Sequence, residues 1–218
     1  MSRIVIALVL LLLAACAGPR PDLARLYVGE TGRADQPPVV VIPGLLGSRL
    51  VDTETGEETW PGSAWRVLFH DYSALRLAID PATLEPLPDR HRPAGITDRA
   101  AGRDFYGRIL AVLEESGGYV RTEPGETVTA PAPRYYVFDY DWRQDNVRTV
   151  AELDRFIEQI RADHRDPDLK VDVIAHSMGG LIARYYIRYG SVDVLDDNDF
   201  PVNGYGAARI RRAILLGT

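Results

Sequence analysis

Two hydrophobic rhythms alternate along the chain. Continuous apolar runs occur at residues 38–42 (PVVVI), 134–138 (RYYVF), 171–175 (VDVIA) and 212–216 (RAILL). Runs this short, rich in β-branched and aromatic residues, suit strands buried on both faces of a parallel sheet. Between them apolar residues recur at helical spacing. Phe105, Ile109, Val112 and Leu113 share one face within residues 102–116, and Gly117-Gly118 stops the pattern. Val147, Val150, Leu153, Phe156, Ile157 and Ile160 mark a second helix that ends near Asp166-Pro167. Met178, Leu181, Ile182, Tyr185, Tyr186 and Tyr189 mark a third, closed by Gly190. Residues 119–133 and 191–209 read as loops. Residues 48–100 carry Trp60, Trp65, Phe69, Tyr72 and many prolines with no sustained period. A stretch of that length inside a compact domain is a functional insert, such as a lid, or hides short helices.

The order is strand, long insert, helix, strand, helix, strand, helix, strand. It predicts an α/β fold with right-handed crossovers, a mostly parallel sheet and helices on both faces. The domain occupies residues 38–218, with the lid-like insert at about 48–100.

The first residues form a separate unit. Arg3 precedes an apolar run over residues 4–13, too short to span a bilayer as a mature helix. Leu13-Ala14-Ala15-Cys16 follows, in the form of a bacterial lipobox. The expectation is a lipoprotein signal peptide at 1–15, a lipid on the Cys16 sulfur, and a Pro/Gly-rich tether at 16–37. The protein is then exported and membrane-anchored, at the outer membrane or the periplasmic face. Cys16 is the only cysteine, so an intramolecular disulfide is excluded. The formal net charge of −6 and the lack of a basic stripe argue against a nucleic-acid partner. No metal-ligand spacing or phosphate-cradling loop is present, so no cofactor and no metal are expected.

The chemistry concentrates where the third strand runs into Ala175-His176-Ser177-Met178-Gly179-Gly180 and then a helix. Small-x-Ser-x-Gly between strand and helix is the pattern of a nucleophile elbow. The turn is tight, so the positions two before and two after the serine need small side chains. Ser177 is the candidate nucleophile, and the Met178 N–H at the helix start is a candidate oxyanion donor. The bland reading is a serine that only caps the helix. A second donor belongs on the loop after an earlier strand, where Pro43-Gly44-Leu45-Leu46-Gly47 lies; Leu45 N–H is the candidate. His176 flanks the serine and reads as a packed or hydrogen-bonded strand-end residue, because neighbours in an elbow diverge. A serine hydroxyl needs a base. The histidines are His70, His91, His164 and His176, and none follows Ser177, although this fold orders its triad Ser, acid, His. The sheet thus reads as truncated after the strand that follows the nucleophile helix, with acid and base expected beyond Thr218. Asp193, Asp196, Asp197 and Asp199 read as a solvated loop. The alternative is a complete chain that is non-catalytic or takes its base from His70 or His91.

Three segments resemble the lecithin:cholesterol acyltransferase family of α/β-hydrolases, in its bacterial lipoprotein branch. Residues 40–50 (VVIPGLLGSRL) are similar to the family's opening strand and oxyanion loop, and Tyr140-Asp141-Trp142-Arg143 to its Tyr-Asp-Trp-Arg signature. Residues 175–180 match its elbow, and Gly117-Gly118-Tyr119-Val120 fits its spacing. The resemblance implies an α/β-hydrolase fold and acyl transfer from a phospholipid or other lipid ester to an alcohol or water, through an acyl-serine on Ser177. It implies Leu45 and Met178 as oxyanion donors. The disulfide-bonded lid of the animal enzymes has no counterpart here. Asp141, Trp142 and Arg143 either wall the site or brace the strand end, with an Asp141–Arg143 ion pair and Trp142 against the insert. Trp60, Trp65, Phe69 and Tyr72 either line an acyl channel or belong to the core. Competing functions are a general carboxylesterase or triacylglycerol lipase, and a non-catalytic surface lipoprotein.

Overall fold

The computed structural model describes residues 33–62, 72–100, 103–129, 131–194, 200 and 202–218. The leader, Cys16, most of the tether, Trp65, Phe69, His70, Asp196, Asp197 and Asp199 lie outside the described residues. Among those described, no helix is long and apolar enough to cross a membrane.

Strand β1 (Val39–Ile42) is buried at every position, which is why its sequence does not alternate. Its side chains do alternate in direction, and that builds two cores. Val40 and Ile42 enter one apolar cluster, and Val39 and Val41 enter another on the opposite face. The first cluster receives helix α2 (Asn146–Asp163) through Val150, Leu153, Ile157 and Ile160, and helix α3 (Met178–Tyr189) through Ile182, Ala183 and Tyr186. The second receives helix α1 (Gly107–Ala111) through Leu110 and its N-cap Tyr106. Helices therefore cover both faces, as the alternation of elements predicted.

The main sheet runs β10–β9–β1–β8–β7, with β7 Val120–Arg121, β8 Arg134–Val137, β9 Val171–His176 and β10 Ile210–Leu216. Every pairing in it is parallel. From β1 the chain passes α1 to the edge strand β7 and comes back inward to β8, beside β1. It then returns over the opposite face through α2 to β9 and continues through α3 to β10. Direction and covering face reverse together for the helical crossovers, so these share one hand. The reversal makes the β1–β9 junction the topological switch point, and open α/β sheets bind ligands at the carboxyl ends of the strands there.

The structure differs from the sequence reading in four places. The segment after β1 contains a three-stranded antiparallel sheet of β2 (Ser48–Asp52), β3 (Glu58–Trp60) and β4 (His91–Ile96). A small two-stranded pairing of β5 (Arg99–Ala100) with β6 (Arg103–Asp104) follows. The stretch 119–133 holds edge strand β7, and the stretch 191–209 ends in a short helix α4 (Tyr205–Arg209). Finally, α1 passes into a π-helical turn at Val112–Ser116, and its buried stripe is Tyr106, Ile109, Leu110 and Leu113. Phe105 and Val112 face solvent. The wider π turn changes the angular spacing on which a regular helix pattern relies.

Candidate active site

Two adjacent strands at the switch point deliver the site. β1 ends at Ile42 and releases residues 43–47; β9 ends at His176 and releases Ser177. Ser177 adopts φ 50°, ψ −122°, a left-handed conformation that costs a non-glycine residue about 1–2 kcal/mol. The neighbours hold it there. Its N–H donates to Leu216 O at 2.9 Å, which extends the β9–β10 pairing by one step, and its carbonyl accepts from Gly180 N–H at 2.9 Å. Ser177 is the N-cap of α3 but makes no side-chain capping bond, so its hydroxyl is not spent on the helix. That argues against a capping serine. Met178 opens α3, and the first amides of a helix have no carbonyl partner within it.

The two glycines of the motifs have steric duties. A Cβ on Gly179 would lie 2.4 Å from Pro43 O and 2.7 Å from Ile42 O, so α3 starts in backbone contact with the end of β1. A Cβ on Gly44 would lie 2.8 Å from the Ser177 Cβ. The loop after β1 and the strand-to-helix turn are thus in direct contact. Within the loop, Gly47 N–H donates to Gly44 O at 2.9 Å, closing a turn over Leu45 and Leu46. Leu46 has φ 63°, the region that favours glycine. Its strain is held by Trp60, whose indole N–H donates to Leu46 O at 2.8 Å. The turn's closing bond leaves the Leu45 N–H out of it, and Leu45 is 56% exposed.

Tyr140, Asp141, Trp142 and Arg143 bind the small sheet to the main one. Tyr140 O–H donates to Pro43 O at 2.9 Å, Tyr140 N–H to Ser48 Oγ at 3.1 Å, and Trp142 Nε1–H to Ser48 O at 3.0 Å. Burial pushes the Tyr140 hydroxyl far above the ordinary phenol range. Arg143 donates through Nε and Nη2 to both Asp141 oxygens, at 2.9 and 2.7 Å, and through Nη2 to Asp89 at 2.5 Å. Its side chain is 4% exposed. Burial lowers the Arg143 pKa, but the Asp141 and Asp89 carboxylates outweigh it and hold the guanidinium more firmly charged than usual. These residues brace the loop ends from behind rather than meeting Ser177. Trp60 stacks at tilted and edge geometry with Tyr72 and Trp142, ring centres 6.0 and 5.9 Å away, as one aromatic support under Leu46.

The three described histidines are engaged elsewhere. His91 Nδ1 lies 2.8 Å from Asp89, His164 Nε2 lies 3.0 Å from the Tyr136 hydroxyl, and His176 Nδ1 lies 2.8 Å from the Tyr106 hydroxyl. Tyr106 also accepts from Gly44 N–H at 2.8 Å. Burial raises its pKa above the phenol value and the Gly44 bond lowers it; the net shift is upward, so the hydroxyl keeps its proton. No motif pointed to Tyr106, and only its three-dimensional contacts reveal it; Ser48 and Trp60 were within segments singled out from the sequence, but not for the hydrogen bonds they make.

A protein-family model, Lipase (class 2), matches residues 139–203. That span runs from the Tyr-Asp-Trp-Arg loop through Ser177 and all of α3. A curated relative, lecithin-cholesterol acyltransferase-like 4 of Arabidopsis thaliana, is 29% identical over 174 residues. Over these spans the chain is similar to the lipase and lecithin:cholesterol acyltransferase-like proteins. The alignment covers 69% of this chain and spans about 30% of that relative's length.

Proposed function

We propose that Ser177 is the nucleophile of a lipid acyltransferase or esterase, which moves an acyl group from a phospholipid or other lipid ester to an alcohol or water through an acyl-serine. One observation carries this: a strained serine with its hydroxyl uncommitted to the helix, pressed against the Pro43–Gly47 loop at the switch point of a parallel sheet. Attack by the Ser177 oxygen on the ester carbonyl forms the C–O bond and puts negative charge on the carbonyl oxygen. The Met178 and Leu45 amides are the donors for that charge. The serine proton passes to a base, and the leaving alcohol takes up a proton as the acyl-serine forms. Water or an acceptor alcohol then repeats the attack on the acyl-serine. The Cys16 leader pattern supports a membrane-anchored bacterial lipoprotein, which would hold the enzyme at the surface that contains its substrate.

A fluorophosphonate probe applied to membranes carrying the full protein tests this reading. We expect labelling of the wild type, none of Ser177→Ala, and release of labelled protein from membranes in Cys16→Ser. A folded wild type that resists the probe would remove the serine mechanism; an unchanged membrane fraction in Cys16→Ser would remove the anchor.

The class 2 lipase match favours a second reading, a general lipase or carboxylesterase. Initial rates on phospholipid, triacylglycerol and soluble nitrophenyl esters separate the two. Transfer from phospholipid is expected to dominate, and a preference for short soluble esters would overturn the lipid assignment.

A further inference from the structure

We propose that the Tyr106 hydroxyl is the positioning group of the oxyanion loop, holding residues 43–47 in register with Ser177 so that the Leu45 amide faces the developing charge. The inference rests on the serine mechanism above and adds a residue that neither motif contains.

The ring is fixed first. Tyr106 is 4% exposed and packs with Val39, Val41, Ile96 and Leu110 on one face of the main sheet. A side chain packed this way has little rotational freedom, so its oxygen is delivered to one place. That oxygen accepts from Gly44 N–H at 2.8 Å and sits 2.8 Å from His176 Nδ1. One atom therefore links the start of α1, the loop after β1, and the residue immediately before Ser177. Those are the segments whose relative placement defines the site, since Gly44 abuts the Ser177 Cβ. The loop is drawn closely around the phenol: a Cβ on Gly47 would lie 2.9 Å from the Tyr106 oxygen.

The bond also decides which loop amide is left for chemistry. Gly44 N–H is committed to the phenol and cannot serve an oxyanion, which leaves the next amide, Leu45, for that task. Either protonation form of His176 preserves the link. An unprotonated Nδ1 accepts the phenol proton, and an Nδ1–H donates to the second lone pair of the phenol oxygen. Bonds in such a chain polarise one another, which stiffens the arrangement further.

Tyr106→Phe isolates the effect, because it keeps the buried ring and deletes one oxygen. The buried Gly44 amide loses its acceptor, and the loop is free to turn toward another. The experiment measures kcat, KM and the rate of Ser177 phosphonylation in the full protein, together with the thermal midpoint. The expected result is a fall in kcat of about 10- to 100-fold, a parallel fall in phosphonylation rate, and KM within about threefold of wild type. A merely structural tyrosine would reduce the folded fraction without separating kcat from KM. A kcat per labelled site within about twofold of wild type overturns the proposal. Should Tyr106→Phe fail to fold, His176→Leu cuts the other arm of the phenol. It is expected to lower kcat by about two- to tenfold, and an unchanged value overturns the proposal equally. A wild type that resists the probe defeats the serine mechanism and this inference together. A labelled wild type with an unimpaired Tyr106→Phe defeats the tyrosine's role alone.

Discussion

At Gly44 the main chain and Ser177 compete for the same few ångströms. A methyl group there would sit 2.8 Å from the Ser177 Cβ and 3.0 Å from the His176 carbonyl oxygen, and neither neighbour is the far end of a flexible side chain. Gly44→Ala must push the loop and the serine apart. The expected cost is about 1–3 kcal/mol of stability from overpacking. Turnover should fall more sharply than stability, by about 10- to 100-fold, because catalysis depends on sub-ångström placement. Urea unfolding and ester turnover on one preparation check both, and wild-type turnover would refute the steric argument. The tight turn at Ser177 and the need for small residues around it were legible from the sequence because such a turn constrains nearest neighbours. Tyr106 was not, because its partners lie 62 and 70 residues away and impose no local pattern on the chain.

The parallel strands and their helices were legible for a related reason: burial on both faces leaves an unbroken apolar run, and burial on one face of a helix leaves a stripe. The small antiparallel sheet hid itself. β2 and β4 pair with a register shift, and β4 carries Pro93 and Gly95, so no two-residue alternation survives. β7 is two exposed residues long and α4 only five residues, too short for any period to show. The joint between the small sheet and the main one also has an energetic signature. Arg143 lies between Asp141 and Asp89, whose side chains are 10% and 17% exposed. Arg143→Met leaves both carboxylates without their cation and is expected to cost about 3–5 kcal/mol. Burial raises the Asp89 pKa, but the His91 hydrogen bond and Arg143 prevail and hold it below the usual 3.8. A depressed native value means the contribution is complete above the ordinary carboxylate range and disappears as the pH falls through it. The acid unfolding midpoint should therefore move to higher pH in Arg143→Met. Urea titrations between about pH 3 and about pH 7 test this, and an unmoved midpoint would show that Asp89 draws nothing from Arg143.

Across the whole molecule, site and topology are one fact seen at two lengths. The chain crosses first to one side of β1 and then to the other, and the loops of the candidate site emerge where the two sides meet. A sheet with this order also has a temporal side. β1 comes first from the ribosome, yet it lies at the centre: Val39 is paired on one side with Tyr135 and on the other with Asp172. Its four apolar residues must wait until residues 134–137 have been synthesised before either neighbour exists. Closing such distant contacts is slow. The strand that leads into residues 43–47 is thus an unpaired adhesive segment of the nascent chain until β8 and β9 follow it.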